Sequence, residues 1–528
     1  MRRFFRGGSG RIAFGTVVAL LLMLSGCATV RDDVPRIPSR AISDGTRTTA
    51  GRAFAAQVDA NPGLSGFQVI ATGRTAFVAR AAMADIAEGS LDLQYYSVGD
   101  DLTTDLLLLA VIDAADRGVR VRILLDDIHP SARHFARRAI EASAGIQVRL
   151  FNPFFFGGTS KLARAGEIIF DGARLNRRMH NKLWVTDNSV AVVGSRNLGD
   201  EYFDSSGLAN FSDVEVLAVG PVVKELSGAF DAYWNSAAAI PAETFTEPPA
   251  PGGGHRVRTE FGELRDNCRT RPPCEWLSES QWLGQLTSGV VPLSWARATV
   301  IYDEPDQDKV DLFSGIEHGW IDDRPGGDQT RAELLIASPY FIPSSDALRH
   351  LGEMHRRGVR VAVLTDSLAS TDSPAAHAGY ARHRVAVVCA GVELYELRPA
   401  SAVQHLPSHR WRHTSPFSLH AKIVVQDRVR SIVGSLNQDP RSRLHNTEGW
   451  LVLESAELAA ELAALFAEGT DPRHAFRLEL NESGDPPALV WSTEEDGKRV
   501  RYETEPWSTP WQRLWRGVLG NLIPEHLL

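Results

Sequence analysis

His180-Asn-Lys182-Leu-Trp-Val-Thr-Asp187, followed six residues on by Gly194-Ser195-Arg-Asn197, is written a second time as His420-Ala-Lys422-Ile-Val-Val-Gln-Asp427 and Gly434-Ser435-Leu-Asn437. Both copies keep every internal spacing. The apolar runs after each lysine (Leu183 to Val185; Ile423 to Val425) and before each Gly-Ser (Val190 to Val193; Ser431 to Val433) read as short buried strands, so each copy predicts a hairpin. Residues two apart on a strand share a face, so each histidine points the same way as its lysine. Gly-Ser-x-Asn at the end of the second strand offers a hydroxyl, an amide and closely approaching backbone. Each copy is then half of an anion site. A lone His-x-Lys reads as a surface strand; two copies with identical spacing do not.

The repeat extends beyond the motifs. Arg117-Gly-Val-Arg-Val121 is matched by Arg357-Gly-Val-Arg-Val361 at the same offset of 240 residues that separates the two histidines, and Ala144-Gly-Ile-Gln-Val148 is answered by Ala390-Gly-Val-Glu-Leu394. A strand over Leu91 to Ser97, a helix over Thr104 to Asp116 and a strand over Val119 to Leu125 form a βαβ unit. Each half therefore builds its own α/β lobe, and Pro248-Pro-Ala-Pro-Gly-Gly-Gly254 marks the boundary.

The duplicated motif resembles the signature of the phospholipase D superfamily. Leu93-Gln-Tyr-Tyr96, Arg120-Val-Arg-Ile-Leu-Leu-Asp-Asp127, Leu175-Asn-Arg-Arg-Met-His-Asn-Lys182 and Gly220-Pro-Val-Val223 are similar to its bacterial cardiolipin synthase-like branch. The likeness runs from about residue 65 to the C-terminus. It implies an α/β fold of two pseudo-twofold related lobes in one chain, each a mixed β-sheet flanked by helices, with the two His-Lys-Asn sets meeting between them. It also implies a membrane phosphatidyltransferase of cardiolipin synthase type, acting on glycerophospholipids such as phosphatidylglycerol through a phosphohistidine.

By this likeness His180 is the nucleophile and His420 the acid. An imidazole with a pKa of about 6.5 can serve in either role. Lys182, Lys422, Asn197 and Asn437, with Ser195 and Ser435 as substrate-binding hydroxyls, would stabilise charge on the phosphoryl oxygens. A carboxylate following each Gly-Ser-x-Asn should orient each imidazole, which selects Glu448 and Asp213, the second being shorter than the family's usual glutamate. Asp187 and Asp427, with Gly194 and Gly434, are expected to shape the hairpins. No metal and no cofactor is required. The alternatives are a phosphodiesterase releasing phosphatidic acid, a nuclease, or a non-catalytic lipid-binding lipoprotein.

The chain of 528 residues, 43% hydrophobic and 23% charged, has the composition of a globular protein with a formal charge of −9. That charge argues against a general nucleic-acid binder, and no nucleic-acid partner is expected. Arg2, Arg3, Arg6 and Arg11 precede an uncharged run from Ile12 to Leu24 that is too short to span a bilayer, and Leu24-Ser-Gly-Cys27 looks like a bacterial lipobox. Cleavage before Cys27 and its lipidation, or else an uncleaved anchor helix, would tether the protein to a membrane of the bacterial envelope, facing the periplasm. Ala28 stands where an inner-membrane retention signal would have aspartate, which favours the outer membrane.

The expected divisions are a lipoprotein signal peptide (1–26), a lipidated tether (27–63), a first lobe (64–245), a linker (246–290), a second lobe (291–475) and a C-terminal hairpin with amphipathic helix (476–528). Cys268 and Cys274 could close a small disulfide loop, and Cys389 in its apolar run reads as inert core. Lys161, Arg164, Arg174, Arg177 and Arg178 ahead of the first motif, and His405, His409, Arg410, Arg412 and His413 ahead of the second, either form solvated faces or line the entrance to meet anionic headgroups. His129 and His445 read as structural or solvent-facing. Asp496-Gly497 predicts a hairpin turn. The helix from Pro510 has one apolar face, expected to pack on the body, the alternative being that Trp511 and Trp515 sit in a lipid interface.

Overall fold

The computed structural model describes residues 31, 33–156, 158, 160–246, 252–306, 330–399, 417–481 and 488–524. The expectations for the signal peptide, for Cys27 and for His405, His409, Arg410, Arg412 and His413 lie outside the described residues. No helix among the described residues is long and apolar enough to cross a membrane.

The first lobe contributes β1 (Ser65–Ile70), β2 (Ser90–Tyr95), β3 (Arg120–Asp126), β4 (Ile146–Phe151), β5 (Leu183–Thr186), β6 (Val190–Gly194), β7 (Asn210–Ser212), β8 (Glu215–Val219) and β9 (Ala239–Pro241). β2, β3 and β4 run parallel, and the helices Leu102–Asp116 and Pro130–Ala142 are the crossovers that parallel neighbours require. The sheet order is β9-β4-β3-β2-β5-β6-β8-β1. Strand β10 (Ser294–Tyr302) pairs with β1 through Ser294 to Ala296, then with the second lobe through Arg297 to Tyr302, so one strand joins the two sheets.

The second lobe repeats the plan with β11 (Glu333–Ala337), β12 (Arg360–Asp366), β13 (Glu393–Leu397), β14 (Phe417–Leu419), β15 (Ile423–Gln426), β16 (Arg430–Gly434), β17 (Gly449–Glu454), β18 (Ala475–Asn481), β19 (Ala488–Glu495) and β20 (Lys498–Tyr502). Its order is β17-β16-β15-β11-β12-β13-β18-β19-β20. Both motif hairpins form as expected, β5–β6 and β15–β16. They lie centrally in their sheets, which is why their strands are apolar on both faces. Leu183, Val185, Ala191 and Val193 share one hydrophobic core with Ile423, Val425 and Val433 of the other lobe.

Four expectations are corrected. Most of the described part of the tether is docked on the first lobe: the Asp231 carboxylate accepts from the Ala41 amide, Arg122 and Arg149 donate to the carbonyls of Ser39 and Ile37, and the helix Thr49–Ala60 buries Ala50 and Phe54. The linker is mostly helical, because Gly253–Asn267, Pro272–Glu279 and Trp282–Ser288 carry Val257, Phe261, Trp276 and Leu286 into the first lobe's core, with Cys268 and Cys274 joined in a disulfide. Cys389 is exposed, since the run ends a short helix, Arg384–Cys389, whose inward residues are Arg384 and Val387. The C-terminal hairpin does form around Asp496 and Gly497, but as a continuation of the second sheet through β18. The helix Pro510–Leu522 follows it with its apolar face outward.

Candidate active site

Two backbone contacts between lobes assemble the site. β14 pairs in parallel with β7, Leu419 opposite Ser212, and the His420 amide donates to the Ser212 carbonyl at 2.8 Å. On the other side of the pseudo-twofold axis Met179 bridges Thr447, and the His180 amide donates to the Thr447 carbonyl at 2.8 Å. Each histidine is thus laid beside the residue that precedes the other lobe's carboxylate. His180 Nδ1 lies 2.9 Å from Glu448 Oε2, and His420 Nδ1 lies 2.6 Å from Asp213 Oδ2. Asp213 reaches its partner despite its shorter side chain.

The two histidines are 7% and 6% exposed. Burial holds His180 down to about 4 against the opposing pull of Glu448, and holds His420 down to about 3 with help from Lys422. Burial opposes the charged form of Asp213, but His420, Arg196 and Lys422 outweigh it and its carboxyl lies well below the usual range. Both lysines are buried and donate to the carbonyl of their own histidine, Lys182 to His180 and Lys422 to His420. Desolvation lowers Lys182 well below its usual value and Lys422 to about 8. A phosphoryl anion placed between the two lysines would offset the cost of burying their charge.

The asparagines are unequal. Asn197 accepts from the Ser97 amide and donates to the Tyr202 hydroxyl, whereas Asn437 Oδ1 is buried with no partner among the described residues. Ser195 and Ser435 differ from expectation: Ser195 Oγ donates to Asp213 and Ser435 Oγ to Glu448, and both are fully buried. They brace the carboxylates rather than face a substrate. The Asp187 carboxylate accepts from the amides of Glu88, Gly89 and Ser90, and Asp427 from those of Arg331, Ala332 and Glu333, so each fixes the start of a neighbouring strand rather than its own hairpin alone. A Cβ on Gly194 would meet Glu215 at 2.7 Å, and one on Gly434 would meet Trp450 at 2.4 Å.

Several residues escaped the sequence reading. Asp126 accepts from the Met179 amide at 2.8 Å and Asp366 from the Leu419 amide at 3.0 Å, so each pins the residue before a histidine. Burial raises Asp126 to about 6 and Asp366 well above its usual value. The offset of 240 residues between them was the available signal. Tyr96 stands edge-on to His180 at 4.9 Å between ring centres, and Tyr202 and Phe211 flank His420 at 5.1 and 5.0 Å. Of the basic residues ahead of the first motif, Arg164 and Arg178 are buried and pair with Asp127 and Asp126, while the partly exposed Arg174 pairs with Glu167 and Asp171 and Arg177 donates to the Glu304 carbonyl. For Arg164 and Arg178 neither the solvated face nor the headgroup-lined entrance applies.

The family model for the PLD-like domain of cardiolipin synthase matches residues 82–234 and 328–469, one match in each lobe. Cardiolipin synthase C of Escherichia coli (strain K12) is 35% identical over 471 residues, covering 89% of this chain and 97% of that protein. A cardiolipin synthase of Geobacillus kaustophilus is 24% identical over 80% of this chain and 69% of its own length. Among solved structures, the phosphatidylserine synthase of Haemophilus influenzae superposes with a TM-score of 0.55 at 13% identity, covering 91% of this chain and all of that one, a likeness of fold. With both matches falling on the lobes that supply the paired histidines, this chain belongs to the PLD-like cardiolipin synthase family.

Proposed function

We propose that this protein is a membrane phosphatidyltransferase that makes cardiolipin by passing a phosphatidyl group from one glycerophospholipid to the hydroxyl of another. The observation that carries the reading is the crossed pairing of each imidazole with the other lobe's carboxylate. It commits Nδ1 of each ring to an acceptor and leaves Nε2 for chemistry. His180 Nε2 attacks phosphorus as the bond to the leaving alcohol breaks, and His420 gives that oxygen its proton. The acceptor hydroxyl then loses its proton to His420 and displaces His180 from phosphorus. Lys182, Lys422 and the Asn437 side chain, donating through Nδ2, meet the non-bridging oxygens, where charge develops. Asp213 and Glu448 hold the rings in one tautomer, with Ser195 and Ser435 holding the carboxylates.

The lipid substrate is supported by the relatives named as cardiolipin synthases. A lipidated Cys27 would keep the enzyme on an envelope membrane, and the outer membrane is the preferred location. Incubation with labelled phosphatidylglycerol followed by lipid extraction tests the reading: labelled cardiolipin is expected. Phosphatidic acid as the sole product would make water the acceptor, and no lipid product would remove the transferase reading.

A further inference from the structure

Two helices are amphipathic the wrong way round for an aqueous surface. In Pro510–Leu522 the charged residues are turned toward the protein, Arg513 donating to the carbonyl and hydroxyl of Ser508 and Arg516 pairing with Glu505 at 3.5 Å. The same helix exposes Trp511 at 63%, Leu514 at 57% and Leu522 at 71%, with Trp515 edge-on to Trp511. In Lys161–Leu175, Arg164 and Glu167 are buried, Arg164 on Asp127 and Glu167 on the amides of Phe155 and Phe156. Its outward residues are Leu162, Ile169 at 80% and Phe170 at 78%. In water the hydrophobic effect favours the opposite arrangement.

Both helices stand close to the site. Lys161–Leu175 follows β4 and ends five residues before His180, and its Arg164 is bonded to Asp127, the neighbour of the Asp126 that pins Met179. Pro510–Leu522 lies on the helix Pro374–Tyr380, which follows β12, and its Gly520 faces the Ala378 carbonyl. Asp366, the last residue of β12, and Ser370, in the loop leading into Pro374–Tyr380, bond Leu419 and Ser418 just ahead of His420. The two apolar faces thus belong to elements at the C-terminal ends of the parallel strands, where the histidines are.

We propose that the outward faces of Lys161–Leu175 and Pro510–Leu522 dock together into the interfacial layer of a phospholipid bilayer and set the site against its substrate. The proposal rests on the lipid-transfer reading above. A bilayer fits these faces for three reasons. A pair of tryptophans on one helix face suits the boundary between headgroups and acyl chains. Within Pro510–Leu522 there is no acidic residue, although the chain as a whole is acidic, so this face does not repel an anionic surface. A bilayer also delivers substrate to the site that the faces adjoin.

The test places an environment-sensitive fluorophore on Phe170→Cys, Leu514→Cys or, as control, Arg356→Cys, each in the full chain carrying Cys389→Ala. Arg356 is an exposed residue at the end of the helix leading into the opposite end of β12. Vesicles of phosphatidylglycerol and phosphatidylcholine should shift the labels at 170 and 514 to the blue and expose them to quenching by nitroxide-bearing lipids, leaving the label at 356 unchanged. The label reports its own surroundings, so an anchored N-terminus does not imitate the result. Phe170→Glu combined with Leu514→Glu should raise the vesicle concentration at half-maximal turnover by about tenfold or more, with turnover of a water-soluble short-chain substrate retained. Labels at 170 and 514 that stay in water on vesicles turning over lipid would overturn the docking and spare the transferase reading. Labels that insert without any transfer would do the reverse. Labels buried without vesicles, in a dimer that Leu514→Glu dissolves, would assign these faces to a second copy of the chain and sink the proposal.

Discussion

At the scale of single residues the protein brings together two imidazoles, two ammonium groups and two carboxylates in a space screened from water. His180→Ala and His420→Ala should each abolish turnover, and the double variant should be no worse than either single one, because the two act on the same bonds. Steady-state rates of the three proteins decide this; substantial activity in both single variants would remove the two-histidine mechanism. Asp213→Asn, which keeps the shape of the acceptor and removes its charge, should lower kcat by about two to four orders of magnitude, with Ser195 and His420 still in place.

The histidines also predict a proton uptake. Burial holds them at about 4 and about 3 in the free protein, so both are neutral at pH 6, while Lys422, at about 8, is charged. A bound phosphate analogue opposes the effect of burial and raises a ring above the solution pH, so that a proton must enter with the anion. Tungstate binding should therefore strengthen as pH falls from 7 toward about 4, and its heat at pH 6 should vary with the ionisation enthalpy of the buffer. Buffer-independent heat, or affinity that weakens on acidification over that range, contradicts the assignment.

At the scale of elements, the hairpins were legible because their chemistry is local. Strand periodicity and the spacing of His, Lys, Asp and Gly give β5–β6 and β15–β16 without any tertiary knowledge. The partners of Asp187 and Asp427 were not legible, since they are backbone amides about a hundred residues away. Removing Asp187 leaves three amides at the start of β2 without their acceptor, one buried and two partly buried, so Asp187→Ala should cost about 3 kcal/mol, and Asp427→Ala, whose donors are mostly exposed, about 1 kcal/mol. Urea unfolding midpoints test the order of the two. The helices between 253 and 288 were hidden because two of them are short and the apolar residues of the first, Gly253–Asn267, are sparse. Cys389 was misread because an apolar run alone does not distinguish a buried strand from a short surface helix.

At the scale of the whole molecule, the repeat offset made the two-lobed plan visible and β10 supplied what it could not reveal, the strand that fuses both sheets. The direction of the crossed pairs likewise required the lobes to be assembled: two carboxylates and two histidines were identifiable in the sequence, but their exchange across the axis depends on β14 lying beside β7. The proposed lipidation of Cys27 belongs to this scale. Cys27→Ser should yield a protein without acyl chains, and mass spectrometry showing the same unmodified mature N-terminus in both forms would contradict lipidation.

The central claim, that the two lobes share one covalent double displacement, is tested most directly by trapping the intermediate. The enzyme is mixed with a phosphodiester labelled in the transferred group and bearing p-nitrophenolate, a leaving group that needs no protonation, then denatured rapidly and digested. The account predicts acid-labile label on the peptide containing His180, retained in His420→Asn and absent in His180→Asn. Turnover with no label on the peptide of either histidine would contradict it.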